Sequence, residues 1–192
     1  MPISLCLDVS LLAVLLLASL SDLVRRRIPN RLIGTALCTT VLLHLLLAPP
    51  LALLSTVLAG AAVGLLMFLP LYVRGAMAAG DVKLMAAVGA FTGPALAFQI
   101  SLATYCAGGL LALAIVLAKG RGRVAAANVG ALLRPLFLRL GGVPLAREPM
   151  PHPSVGGMPY ALAITAGSVL MLWLDHSQNF SLELLALGQR PG

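Results

Sequence analysis

Long apolar segments, separated by short polar turns, are the feature that most constrains this chain. Of the 192 residues 60% are hydrophobic, only 10% are charged, and the mean hydropathy is +1.01. About a quarter of a typical soluble domain is charged, so this composition argues against a soluble fold and against disorder. In the core of a bilayer, a segment must form all of its backbone hydrogen bonds internally, because no water is present to accept or donate them. Apolar segments of this length do so as helices. We therefore predict an all-α membrane protein whose first partner is the lipid bilayer.

Six apolar segments predict a polytopic bundle of six transmembrane helices, forming one integral membrane domain over residues 1–192. The segments cover residues 3–23, 32–48, 51–73, 81–94, 95–118 and 157–174. Proline and glycine mark two of the boundaries, at Pro49–Pro50 and at Gly93–Pro94, because proline cannot continue a helix interior. Residues 119–154 are predicted to form a cytoplasmic loop and residues 175–192 an outer-face tail. Within the loop, a membrane-surface helix near residues 129–140 and a solvated basic loop remain alternatives.

The basic residues predict the orientation of the spans. The first apolar segment precedes the basic run Arg25–Arg27, the reverse of the order in a secretory signal, which indicates a retained helix with its N-terminus outside. In that topology only Arg190 of the 13 basic residues lies outside the cytoplasmic segments. The net charge of +7 then reflects a multi-pass protein of the inner (cytoplasmic) membrane. With aromatic residues at only 5%, a nucleic-acid partner is not expected.

Small residues at helical spacing predict close helix contacts. Gly60-x-x-x-Gly64 lies in the third segment and Gly89-x-x-x-Gly93 in the fourth. Such pairs let two helix backbones approach closely. We expect them to pack helices within the chain rather than to form a dimer interface, and the sequence leaves the oligomeric state open.

Neither a metal nor a cofactor is predicted. Cys6, Cys38 and Cys106 lie far apart in apolar segments, and no CxxC pair is present. That pattern supports neither a zinc ribbon nor a disulfide framework, and we expect all three cysteines to be small buried residues. The histidines at positions 44, 152 and 176 are equally scattered.

Two carboxylates stand where a charge is costly. Asp22 ends the first span and Asp81 begins the fourth, so the predicted topology places both at the cytoplasmic face and at similar depth. A charge at membrane depth costs roughly 3 kcal/mol even on low estimates, and such residues generally serve function. Two neighbouring carboxyls share a proton; the ionised one can activate water while the protonated one polarises a carbonyl. Peptide hydrolysis is one interpretation, ion pairs with Arg25 and Lys83 are another, and a proton or cation site in a small transporter or assembly factor is a third.

The sequences around both aspartates resemble motifs of the type IV prepilin peptidases. Residues 22–30, Asp-Leu-Val-Arg-Arg-Arg-Ile-Pro-Asn, resemble the first catalytic motif, in which an aspartate precedes a basic stretch and a hydrophobic-Pro-Asn/Asp turn. Residues 75–84, Gly-Ala-Met-Ala-Ala-Gly-Asp-Val-Lys-Leu, resemble the second motif, of the Gly-x-Gly-Asp type followed by x-Lys. Residues 158–161, Met-Pro-Tyr-Ala, resemble the Pro-Tyr segment that opens the family's last helix.

This resemblance implies that Asp22 and Asp81 are the catalytic aspartates of an intramembrane-type aspartyl endopeptidase. Such an enzyme removes the short basic leader from prepilins or pilin-like proteins at the cytoplasmic membrane face. The residues implied to bind substrate or shape the site are Gly80, Lys83, Pro29, Asn30 and Tyr160. Lys83 could tune the protonation of Asp81 or extend to the interface, Asn30 could cap the second helix, and Tyr160 could donate a hydrogen bond or anchor the interface.

The chain departs from the family pattern in three respects, one of which is Ala161, where the family often has glycine. Ala78 replaces the first glycine of Gly-x-Gly-Asp, and we expect the turn to survive because one methyl group is small. The paired CxxC motifs of the larger members are missing, which points to the short, peptidase-only branch found with Tad/Flp-type pili. Archaeal preflagellin peptidases share this plan. A presenilin-like protease is disfavoured by the Arg-Arg-Ile-Pro-Asn stretch.

Overall fold

The computed structural model describes residues 3–47, 49, 53–118, 120 and 159–188. Within these residues, all the regular secondary structure is helical. Helix α1 is Ile3–Arg25 and α2 is Asn30–Leu47. A π-helical segment, Leu53–Leu58, runs directly into α3, Ala59–Val73. Helix α4 is Ala79–Ala118 and α5 is Tyr160–Gly188. The prediction of an all-α protein is confirmed.

The helices have the length and surface of membrane spans. In the described part of the chain three are long and apolar enough to cross a bilayer, Leu5–Arg25, Ser55–Val73 and Ala79–Ala118, and Asn30–Leu46 is a shorter apolar helix. Large apolar side chains project outward along them; Leu46 is 69% exposed and Trp173 66% exposed. A surface of this kind suits lipid rather than water. The total of six spans and the outside position of the N-terminus stay predictions.

Helix α4 bends sharply at Gly93, whose backbone (φ 79°, ψ 171°) is not helical. A straight helix would place Asp81 about 40 Å from Gly108. Tyr160, however, contacts Gly108 and lies within electrostatic range of Asp81. The second segment of α4 must therefore fold back along the first. Pro94 opens that second segment, where its missing N–H costs nothing. This reversal coincides with the boundary that Gly93–Pro94 predicts between the fourth and fifth spans.

Glycine lets α3 approach the first segment of α4 at backbone distance. A Cβ atom on Gly60 would overlap the carbonyl oxygen of Gly89, and a Cβ atom on Gly89 would overlap the carbonyl oxygen of Gly60. One turn further, Gly64 lies in the same way against the carbonyl of Met85. The prediction that these glycines pack helices within the chain is confirmed.

The described chain divides into two compact units. One consists of Met1–Gly108 with Pro159–Gly192, and its core includes Leu15 of α1, Phe68 of α3, Met85 of α4 and Ile164 of α5, all of them fully buried. The other unit is Gly109–Met158, of which the structure describes the last turns of α4 and residue 120. The predicted cytoplasmic loop, with its alternative surface helix, otherwise lies outside the described residues.

Two expectations about local structure are modified. The segment predicted as an outer-face tail is helical as far as Gly188, because α5 continues without a break beyond position 174. The prediction that all three cysteines are buried is wrong, since Cys38 and Cys106 are exposed and Cys6 is partly exposed. Their thiols lie on the outer faces of the helices, where a bilayer rather than protein would cover them.

Candidate active site

Asp22 lies in the last turn of α1 and is only 8% exposed. Its Oδ2 atom accepts a hydrogen bond of 3.2 Å from the backbone N–H of Ala161. Ala161 is the second residue of α5, where the first N–H groups have no partner within the helix. The carboxyl of Asp22 therefore occupies the start of α5, and a backbone donor fixes the direction in which it points.

A tight turn carries the chain away from Asp22. Arg26 adopts a left-handed conformation (φ 51°), and its N–H donates to the carbonyl of Asp22 at 2.9 Å. The hydroxyl of Ser21 donates to the carbonyl of Arg27 at 2.8 Å. These bonds turn the backbone immediately after the aspartate and direct it toward α2.

Helix α2 begins at Asn30, with Pro29 directly before it. The carbonyl of Pro29 accepts the N–H groups of Leu32 (3.0 Å) and Ile33 (3.4 Å). Pro29 thus holds the cap position that we expected of Asn30. Asn30 is the first residue of the helix, and its side chain does not cap it. Instead, its Oδ1 accepts a hydrogen bond of 3.1 Å from Nζ of Lys83.

Asp81 lies in the first turn of α4 and is 7% exposed. Its N–H donates to the carbonyl of Ala78 at 3.2 Å, immediately before the helix. Among the described residues Arg26 is the only non-glycine residue with a positive φ, so Ala78 needs no glycine-like conformation. In the connection from α3 to α4 that freedom is used at Gly75 (φ 72°). The turn therefore forms with Ala78 in place of the motif's first glycine, as we expected.

The two aspartates, 59 positions apart in sequence, come together at one end of the helices. Each is buried, and their carboxyl groups interact electrostatically. Within the described ranges, the one close contact between a basic side chain and a carboxylate joins Nε2 of His176 to Oδ2 of Asp8 at 3.5 Å. Lys83 bonds to Asn30 rather than to Asp81. Among the described residues, therefore, Asp22 does not form an ion pair with Arg25, and Asp81 does not form one with Lys83.

Two contacts join the turns that carry the aspartates. The first is the hydrogen bond from Lys83 to Asn30. The second is the packing of Gly80 against Ile28, where a Cβ atom on the glycine would lie 3.4 Å from the Cβ of Ile28. Four of the residues that the motifs single out thus lie where the two aspartate turns meet, Pro29, Asn30, Gly80 and Lys83.

Tyr160 is half-buried and packs inside the bundle. Its ring meets the edge of Phe68, with centroids 6.2 Å apart and planes at 76°. Phe68 in turn stacks on Tyr105 at 4.9 Å. The hydroxyl of Tyr105 donates to the carbonyl of Met67. Tyr160 is therefore placed by aromatic packing, which differs from the interfacial anchor considered from the sequence.

Sequence reasoning missed two hydroxyl residues next to Asp22. The hydroxyls of Ser19 and Thr165 are 2.7 Å apart, and Thr165 also donates to the carbonyl of Ala161 at 2.9 Å. They join α1 to α5 one turn from the Asp22 contact. Their spacing in the sequence could have indicated them: Ser19 precedes Asp22 by three residues and Thr165 follows Ala161 by four, which places each pair on one helix face. Small polar residues often form hydrogen bonds between helices within membranes.

The described residues contain no group of three histidine, cysteine or acidic side chains placed to hold a metal ion. What the site does contain is two buried carboxyls, those of Asp22 and Asp81, that interact electrostatically. The fold and the site together define a helical membrane protein with a buried aspartate pair.

Comparison with protein families gives this class a name. The type IV leader peptidase family matches residues 9–113, more than half of the chain, and the matched stretch includes both aspartates. The chain belongs to the type IV leader peptidase family and is accordingly a peptidase, a hydrolase of the membrane. Neither the curated proteins nor the solved structures gave a match.

Proposed function

We propose that the protein is an intramembrane-type aspartyl endopeptidase that removes the short basic leader from prepilins or pilin-like proteins. Asp22 and Asp81 are its catalytic pair. The observation that carries the proposal is the meeting of two buried carboxyls, one from α1 and one from α4, in a chain of the leader peptidase family. A lone structural carboxylate would be paired with a base, and neither aspartate has such a partner among the described residues.

In the proposed reaction one carboxyl is ionised and the other protonated. The ionised carboxylate takes a proton from a water held between the two, and the oxygen of that water attacks the scissile carbonyl carbon. The protonated carboxyl donates a hydrogen bond to the carbonyl oxygen, where negative charge develops. Collapse of the tetrahedral intermediate breaks the C–N bond, and a carboxyl proton passes to the leaving amine. The N–H of Ala161 holds Asp22 in one orientation throughout this sequence.

We place the reaction at the cytoplasmic face of the inner membrane, in a six-span protein with its N-terminus outside. The position of the basic residues supports this orientation. Asp22, in the last turn of α1, and Asp81, in the first turn of α4, interact electrostatically, and the contact of Asp8 with His176 lies toward the other end of α1. A substrate with a polar leader and an apolar helix then presents their junction at the edge of the bilayer, where the two aspartates lie.

The test uses purified protein in lipid nanodiscs. The substrate is a synthetic peptide with a basic leader, a glycine and an apolar helix of about 20 residues, the length that spans a bilayer. We expect two products, separated at the glycine, in mass spectrometry. Intact peptide after long incubation, combined with a proton or cation flux in proteoliposomes, would contradict the peptidase and support the transporter alternative.

The bond between Lys83 and Asn30 yields a further prediction. Lys83→Met and Asn30→Leu should each lower kcat by roughly 10-fold, because the bond holds together the turns that carry the two aspartates and misplacement of catalytic groups is costly. Asn30→Asp keeps an acceptor for Lys83 and should retain more activity than Asn30→Leu. The double variant Lys83→Met with Asn30→Leu should be no worse than either single variant, since both remove one interaction.

Arg31→Met is the matched control for this prediction. Arg31 is an exposed basic residue directly after Asn30, and it takes no part in the contacts between the two turns. Its substitution should leave kcat near the wild-type value. Additive losses in the Lys83 and Asn30 double variant would show that the two side chains act separately.

A further inference from the structure

Tyr160 is held from two sides by residues of other helices. Phe68 of α3 meets its ring edge-on, and Phe68 is itself fully buried and stacked on Tyr105 of α4. Edge-to-face and stacked aromatic pairs of this kind contribute stabilisation beyond the area that they bury. The ring of Tyr160 therefore has one strongly favoured position.

The far end of the same ring lies on Gly108 of α4. A Cβ atom on Gly108 would be 2.8 Å from the hydroxyl oxygen of Tyr160 and 2.9 Å from Cε2. Real Cβ atoms do not tolerate such distances, so the phenol occupies the space that a side chain at position 108 would need. A methyl group at position 108 would therefore have to displace this ring, which also packs edge-on against Phe68.

The backbone that carries this ring also carries the donor to Asp22. Tyr160 is the first residue of α5, and Ala161, the next residue, donates its N–H to Oδ2 of Asp22. Any shift of the Tyr160 ring that moves its backbone also moves that N–H. The position of the ring and the orientation of the Asp22 carboxyl are thus coupled through one peptide unit.

We propose that Tyr160 is a positioning residue for Asp22, held by Phe68 and Gly108 so that the start of α5 presents its N–H to the aspartate. The inference rests on the proposed function, because it concerns the same aspartate pair. The hydroxyl of Tyr160 lies over Gly108, whereas the bond to Asp22 comes from the backbone. Tyr160 accordingly acts through its ring and its backbone rather than as a donor to substrate.

The test displaces Tyr160 without altering it. Gly108→Ala adds a methyl group against the phenol, and we expect kcat to fall roughly 10-fold to 100-fold, as for a displacement of catalytic groups by up to about 1 Å, with KM unchanged. Gly109→Ala adds the same methyl group where nothing lies within 4 Å, and it should behave as wild type. Both proteins should insert into membranes, and thermal melting in detergent compares their stability.

Substitutions of Tyr160 separate the ring from the hydroxyl. Tyr160→Leu should lose much more of kcat than Tyr160→Phe. Equal kcat in Gly108→Ala and Gly109→Ala would overturn the inference, and so would equal losses in Tyr160→Phe and Tyr160→Leu. Failure of the wild-type protein to cleave would instead overturn the proposed function.

Discussion

Replacement of Asp22 or Asp81 by asparagine should lower the cleavage of a pilin-like substrate by at least about 1,000-fold, because each carboxyl supplies a proton transfer that an amide cannot perform. Asparagine keeps the size of the side chain and an oxygen that can accept the N–H of Ala161, so the fold should be retained. Residues that act as a unit are not additive in their effects. The double variant should therefore be no slower than either single variant. Single-turnover cleavage in nanodiscs measures all three.

Asp175→Asn is the matched control for the aspartate variants. Asp175 is an exposed carboxyl on α5 that accepts a hydrogen bond from Asn179, and it lies near Asp8 at the other end of the helices. Its loss should leave kcat near the wild-type value. Substantial cleavage by either the Asp22 or the Asp81 variant would remove that residue from the chemistry. A change in ion transport without any effect on cleavage would favour the transporter alternative.

The helices themselves could be predicted from the sequence because their limits are local properties. Apolar runs give the lengths, and proline and glycine mark where helices end or turn. Gly93–Pro94 illustrates this, since the pair predicts a boundary between two spans and α4 reverses its direction there. The tight glycine contacts between α3 and α4 could be anticipated for the same reason, because the spacing of small residues places them on one helix face.

The partners of the site residues could not be predicted in this way. The bond from Ala161 to Asp22 joins residues 139 positions apart, and it depends on how α1 and α5 are rotated about their axes. Helices that are apolar on nearly every face carry little information about that rotation, because lipid and protein interior are both apolar. The same ambiguity explains why Cys38 and Cys106 face outward although we expected them to be buried. It also explains why the sequence suggested an ion pair of Lys83 with Asp81, whereas Lys83 donates a hydrogen bond to Asn30.

A large loss of stability is expected when a side chain is added where α3 and α4 touch. Gly89→Val would place its Cβ against the backbone carbonyl of Gly60, and a carbonyl within a helix cannot move aside as a flexible side chain can. Adding atoms to a well-packed core generally lowers the free energy of unfolding by about 1–3 kcal/mol. A clash of a side chain with a helix backbone should lower it by at least the upper end of that range. The variant should melt well below wild type in detergent and should lose cleavage together with its fold.

Gly34→Ala supplies the comparison that isolates the clash. Gly34 lies in α2 with nothing within 4 Å of the added methyl group, and alanine favours a helix over glycine by up to about 1 kcal/mol. It should therefore melt at or above the wild-type temperature. Because Gly60 and Gly89 face each other, Gly60→Val should be as damaging as Gly89→Val. Equal melting temperatures for Gly89→Val and Gly34→Ala would show that the backbones of α3 and α4 are not in contact. The packing of the α4 segment that carries Asp81 would then differ from the one described above.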